Sequence, residues 1–191
     1  KNPNDIAVLM RTNSLIGEYE SQFAEYDIPV VVSNNNSFFD RSEIVDLLSY
    51  LYHVYYPENN TTLVRIMNRP NRYISNQTIN EISKFAYDNG ITFEEALHEW
   101  NGQGKNGIQR VLDTFNSLRN KGKQPISVEK MLRFIYSRTQ YREYLYEKSP
   151  QSLVAKERED NCESLFYIAK NFYDVDEFFN HIRKVKMNSK S

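Results

Sequence analysis

Apolar positions along this chain change their period once. In DIAVLMRTNSL the apolar residues Ile6–Met10 run without interruption and end in a polar Arg11-Thr12-Asn13 block, the pattern of a short buried strand. Ile16, Tyr19, Phe23 and Tyr26 then follow at near-helical spacing, which predicts a helix over residues 14–26. The β-branched run Ile28–Val32 predicts a second strand. Beyond a polar loop, Asn34–Ser37, every apolar pattern is helical. In SFFDRSEIVDLLSYLYHVYY, starting at Ser37, the residues Ile44, Leu47, Leu48, Leu51, Tyr52 and Tyr55 form one stripe, with Asp40 and Glu43 placed for a capping box.

Further helices are predicted around Leu63, Ile66 and Met67, stopped by Pro70, and from a cap at Asn76 through Ile79, Ile82, Phe85 and Ala86 to Gly90. Thr92 and Glu95 form a second capping box ahead of Phe93, Ala96, Leu97 and Trp100. Asn101–Gly107 reads as a turn and Arg119–Pro125 as a basic loop, with a helix through Ile108, Val111, Leu112, Phe115 and Leu118 between them. Ser127 caps a helix bearing Val128, Met131, Leu132 and Ile135; a long helix covers Leu153–Phe172; Asp174 and Glu177 cap the last one. The tail from Lys184 reads as basic and frayed.

At 191 residues, with 40% hydrophobic and 26% charged residues, the chain has the composition of a globular protein with one good core, or a small lobe plus a helical domain. No apolar run has the roughly 18 residues of a membrane span, so no membrane partner is expected. The opening Lys-Asn-Pro reads as the start of an excised segment. One cysteine, Cys162, excludes an internal disulfide and suits a reducing cytoplasm. A net charge of −1 gives no overall basic field, so any nucleic-acid contact must come from local clusters.

Catalytic patterns are sparse. His53, His98 and His181 stand apart without zinc spacing, and each reads as a surface or helix-packing histidine. Asp40, Glu43 and Asp46 group three carboxylates on the Ser37 stretch, of which capping explains the first two without a metal. GQGKNG lacks the GxxxxGK[ST] spacing and the hydroxyl of a phosphate-binding P-loop, and reads as a helix–helix turn. No cofactor is expected in this chain.

AVLMRTN, IPVVVS, FFDRSEIVDLLSYL, LVRIMNRPNR, RTQYREYL and EREDNCESL, in this order, resemble the UvrD/Rep family of superfamily 1 DNA helicases from Ala7 to about Leu165. The resemblance implies a mainly α chain: a small strand–helix–strand α/β piece of RecA-like motor domain 2A over residues 1–36, then a helical 2B-like insertion over 37–183 and a basic tail, 184–191. It implies a fragment of an ATP-dependent 3′–5′ DNA helicase whose ATP and magnesium are bound elsewhere in the parent enzyme, so that the fragment alone is not catalytic. DNA, both single strand and duplex junction, the rest of the motor, and proteins docking on 2B are the implied partners; the implied location is the cytoplasm.

By the same resemblance, Arg11, Thr12, Asn13, Phe38 and Arg41 belong to a single-strand DNA contact, and Arg65, Arg69, Arg72, Tyr73, Ser75 and Thr78 to a duplex contact. Read from the residues alone, Arg11 is an ordinary strand-end salt-bridge partner before it is a phosphate contact, and Arg65, Arg69 and Arg72 are equally a solvated basic face. This chain departs from the family in three places. Met10 stands where a Tyr is usual, and Asn35-Asn36-Ser37 replaces glycines and a basic residue ahead of the phenylalanine pair, which removes a phosphate contact. The third departure is Tyr73-Ile74-Ser75 in place of a Gly-Ile-Gly turn whose amides grip duplex DNA; Tyr73 is expected to impede both close approach and positive φ. Two alternatives remain open: the matching segment of an AddA/RecB-like helicase–nuclease subunit, and a helical protein-interaction module without a DNA role.

Overall fold

The structure is a computed structural model and describes residues 5–33 and 37–189. Among the described residues there are ten α-helices: α1 (Ile16–Glu25), α2 (Ser42–Tyr55), α3 (Asn60–Ile66), α4 (Asn76–Asn89), α5 (Phe93–Glu99), α6 (Lys105–Gly122), α7 (Val128–Arg138), α8 (Tyr141–Lys148), α9 (Ser152–Ala169) and α10 (Val175–Asn188). They group into two compact units, one of residues 1–45, 127–130 and 149–191, the other of residues 46–126 and 131–148; α2 and α7 each contribute to both.

The mainly helical reading holds, but the strand–helix–strand piece does not. Among the described residues there is no strand. The segments predicted as strands, Ile6–Met10 and Ile28–Val32, run without regular structure and show their apolar side chains to solvent, Leu9 at 95% and Val31 at 78%. A strand is defined by the neighbour its backbone pairs with, and no neighbour is present here. The helix between them forms as α1, preceded by a short 3-10 turn, Asn13–Leu15. Of the expected polar loop, residues 34–36 lie outside the described residues, and with them the Asn35 and Asn36 departures.

In the first unit α1 packs on α9 and α10, and the Asn13–Leu15 turn lies on α9. Gly17 lets the Phe38 ring press against α1: a Cβ there would stand 2.4 Å from the ring. Glu20, buried on the same helix, accepts hydrogen bonds from the Phe38 amide and the Ser189 hydroxyl, both at 2.9 Å. The expected capping box of Asp40 and Glu43 is not formed. Phe38–Asp40 make a 3-10 turn, which moves the first helical hydrogen bond to the Arg41 carbonyl (Val45 N, 2.9 Å). Asp40 pairs with Lys186 instead, and Glu43 turns inward. The tail is not frayed over its described part, since α10 continues to Asn188 and Lys184 pairs with Asp27 at 2.9 Å.

In the second unit the caps follow the sequence closely. Thr92 and Glu95 make the reciprocal capping box of α5, Asn59 caps α3, and Gly90 ends α4. The α4 cap is Ser75, one residue before the expected Asn76. α6 begins three residues inside the predicted 101–107 turn and extends through Gly122 into the predicted basic loop. The core is built by Leu47, Tyr50, Leu51, Leu63, Ile82, Phe93, Phe115, Leu118, Met131, Leu132 and Ile135, all buried. His53 packs there as well, fully buried against Phe115.

Candidate nucleic-acid interface

Two places hold the residues singled out from the sequence, one in each unit. In the first unit Arg11 is exposed, and among the described residues no ion pair holds it. Thr12 caps the 3-10 turn in extended backbone and accepts a hydrogen bond from the Ser14 hydroxyl at 3.2 Å. Asn13 donates to Glu157 at 3.0 Å. Phe38 is fully buried and presents no free ring; its contribution is to carry the Arg41 guanidinium, 5.5 Å from the ring centroid. Arg41 in turn donates to Asn161 at 2.6 Å. This clusters Asn13 with Glu157 and Arg41 with Asn161, both partners lying on α9 four residues apart. The sequence assigns that helix no role; the signal that points to it is the 157/161 spacing, which puts both side chains on one helical face.

In the second unit the arginines divide by exposure. Arg72 is buried. It donates to the carbonyls of Ile66 (2.9 Å), Met67 (3.1 Å) and Pro70 (3.3 Å) and to the Tyr50 hydroxyl (2.7 Å). The carbonyls at a helix C-terminus lack intrahelical partners, and Arg72 satisfies those at the end of α3. Arg65 and Arg69 share Asp46, at 2.8 and 3.0 Å, with about a third of each side chain exposed (32% and 37%). Asp46 is itself buried and also accepts from the Tyr141 hydroxyl at 2.8 Å. The three carboxylates of the Ser37 stretch therefore have separate protein partners, and among the described residues no group of ligating side chains is gathered for a metal.

The loop ahead of α4 corrects one expectation. Tyr73 adopts φ 59°, the left-handed conformation that glycine would favour, with its ring 80% exposed. Asn side chains impose this geometry. Asn68 accepts from the amides of Arg72 (3.2 Å) and Ile74 (3.1 Å) and donates to the Ile74 carbonyl; Asn71 accepts from the Tyr73 amide at 2.9 Å. Positive φ is thus kept without glycine. Ser75 then caps α4 by accepting from the Thr78 amide at 3.0 Å, and the buried Thr78 hydroxyl closes on it at 2.9 Å.

Beside this loop lies an open groove of about 480 Å³ lined by Arg72, Tyr73, Gly102, Gly104, Lys105, Asn106, Gly107 and Arg110. No acidic residue lines it. Gly107 is what lets α6 come so close: a Cβ there would meet the Arg72 carbonyl at 2.5 Å and the Ile74 side chain at 2.6 Å. Lys105 and Arg110 are exposed on the first turns of α6. Sequence reasoning set this stretch aside as a turn; the signal it carried was a Gly-Lys pair at a helix start, where backbone amides are free. The residues lining the groove do not match a magnesium-ATP site: Asn106 follows Lys105 where a P-loop has a hydroxyl, and no carboxylate is among them.

Deeper in the same unit, Glu94 accepts from His53 at 3.0 Å and from both terminal nitrogens of Arg119. Burial alone would raise the Glu94 carboxyl. The hydrogen bonds from His53 and Arg119, with the charge of Arg119, outweigh it and hold the pKa at about 2.

Residues 1–190 match the UvrD-like helicase C-terminal domain family, and the chain belongs to it. This bears out the UvrD/Rep-type resemblance. Among its relatives are ATP-dependent DNA helicases PcrA from Bacillus subtilis, 28% identical over 178 residues, and from Staphylococcus epidermidis, 27% identical over 176 residues. The PcrA of Staphylococcus aureus is 26% identical over 176 residues. These alignments cover 90–91% of this chain and 24% of each relative, so the chain spans about a quarter of the length of the relatives it matches.

Proposed function

We propose that this chain is part of an ATP-dependent DNA helicase of the UvrD type, the part that enters motor domain 2A and continues as the regulatory helical subdomain 2B. The family match over residues 1–190 carries the reading. In it the parent enzyme moves 3′ to 5′ along single-stranded DNA in the cytoplasm and draws on ATP and magnesium bound outside this chain. The domain limits at residues 36 and 183 belong to the same proposal, as do protein partners docking on 2B.

The single-strand contact is Arg11, Thr12 and Asn13, with Arg41 carried on Phe38. A guanidinium that is exposed and, among the described residues, unpaired suits phosphate when it stands beside a fixed amide, and such contacts position a strand without reading its bases. The duplex contact is the loop of Tyr73 and Ser75, held from inside by Arg72 and Thr78 and flanked by Arg65 and Arg69. The groove beside the loop adds Lys105 and Arg110, which supports this reading despite the lost glycines. The exposed apolar segments Ile6–Met10 and Ile28–Val32 are where the rest of the motor would supply a sheet; this reading explains why such residues face solvent here.

The test is Arg11→Ala in the full-length protein, with labelled single-stranded oligonucleotides titrated at several salt concentrations. Affinity should fall about 10-fold or more on every sequence, the usual range for a charge-assisted hydrogen bond, and the salt slope by about 0.7. ATP affinity without DNA should be unchanged. Unchanged DNA affinity together with a lowered melting temperature would make Arg11 a structural residue and remove the single-strand assignment.

A further inference from the structure

We infer that Asn161 is a positioning residue that keeps Arg41 apart from Glu43 and aimed for a single-strand phosphate, an inference that rests on the proposed role of Arg41. Asn161 is buried on α9, and both ends of its amide are used. Its Oδ1 accepts from the Arg41 guanidinium at 2.6 Å, and its Nδ2 donates to Oε1 of Glu43, itself buried, at 2.7 Å. Chemistry fixes this orientation. A guanidinium cannot accept and a carboxylate cannot donate, so a flipped amide would set donor against donor and acceptor against acceptor.

The amide thereby stands as a neutral spacer between an anion and a cation. If Glu43 reached Arg41 directly, the guanidinium would be paired with a carboxylate inside the protein. With Asn161 between them, Arg41 engages an uncharged oxygen, and among the described residues no carboxylate pairs with it. The Phe38 ring supports the guanidinium at 5.5 Å. One turn earlier on the same face of α9, Glu157 accepts from Asn13 at 3.0 Å. One helix therefore fixes two candidate contacts that lie 120 and 144 positions before their partners in sequence.

The experiment measures binding of a labelled oligo-dT strand by the full-length protein at several salt concentrations, with thermal melting as the control for folding. Arg41→Ala should weaken binding about 10-fold and lower the salt slope by about 0.7. Asn161→Asp, which gives Arg41 a carboxylate partner inside the protein, should lower the slope by about the same amount, because a cation already paired with a carboxylate displaces fewer counterions from DNA. Asn161→Ser should weaken binding several-fold, and adding it to Arg41→Ala should weaken binding no further. A merely structural role for Asn161 would lower the melting temperature and leave the slope alone. If Arg41→Ala itself is silent, the single-strand reading fails. If Arg41→Ala weakens binding while the folded Asn161→Asp and Asn161→Ser proteins bind like the parent, the positioning role is overturned and the single-strand reading stands.

Discussion

The second unit and the N-terminal part of the first solve the same problem in opposite ways. In the second unit each helix closes its own backbone hydrogen bonds, and each buried charge finds a partner inside: Asp46 takes Arg65, Arg69 and Tyr141, while Glu94 takes His53 and Arg119. Residues 6–10 and 28–32 form no ladder among the described residues and leave apolar side chains open; of the bonds described, only those of Ile28 engage their backbone, its amide on the Phe23 carbonyl and its carbonyl on Asn188. Helices are satisfied locally, whereas strands depend on a neighbour that sequence distance does not guarantee. Stability in this chain should therefore be concentrated in the second unit.

The largest test of that contrast is Asp46→Ala. It leaves two arginines and a buried hydroxyl without their acceptor, and stability should fall by about 3–5 kcal/mol, read from a denaturant midpoint. Leu51→Ala, at a position with no exposure, should cost about 2–5 kcal/mol in the same measurement. A near-neutral result for either would mean that α2 does not anchor the unit.

Glu94 gives a pH test. Its folded pKa of about 2 lies below its ordinary value of 4.5, so its contribution is complete above pH 4.5 and is lost as pH falls toward 2. Melting temperatures over that range should drop less steeply for Glu94→Gln than for the parent, by an amount on the order of 2 kcal/mol. Parallel curves would show that the His53–Glu94–Arg119 cluster adds nothing to acid stability.

Tyr73→Gly should raise stability by about 1 kcal/mol. It removes a side chain from left-handed backbone and gives up almost no buried surface. At the bottom of the scale, Leu9→Ser and Val31→Ser should change the stability of residues 1–191 by no more than about 0.5 kcal/mol, as for exposed sites elsewhere. A loss of 2 kcal/mol at either would mean that these segments pack on something within the chain, and the contrast between the two regions would disappear.

The sequence made visible what depends on near neighbours. Thr92 and Glu95 are three apart and form their capping box; the stripe of Ile44, Leu47, Leu48 and Leu51 became the buried face of α2. Strand pairing was not legible, because the apolar run Ile6–Met10 has the same pattern whether or not a partner lies beside it. The α8 helix was missed for a local reason: Gln140, at φ 53°, breaks the chain just before it, and its apolar face is weak. At the candidate interface Asn13 and Arg41 were found by resemblance. The contacts that hold them were not, because Glu157 lies 144 positions from Asn13 and Asn161 lies 120 from Arg41. Arg72 looked like a surface cation because nothing in its neighbourhood shows that three carbonyls converge on it.

The asparagine-held turn at Tyr73 carries a consequence for how this surface can vary. Where a glycine supplies a left-handed bend, shape and residue identity are one property, and any replacement alters both. Here Asn68 and Asn71 hold the backbone from the side, as a mould holds a casting. The tip is then free to change its chemistry, aromatic in one protein and cationic or small in another, while the main chain keeps its course. Exchange at position 73 becomes a means of retuning the surface the loop presents, independent of the scaffold beneath it.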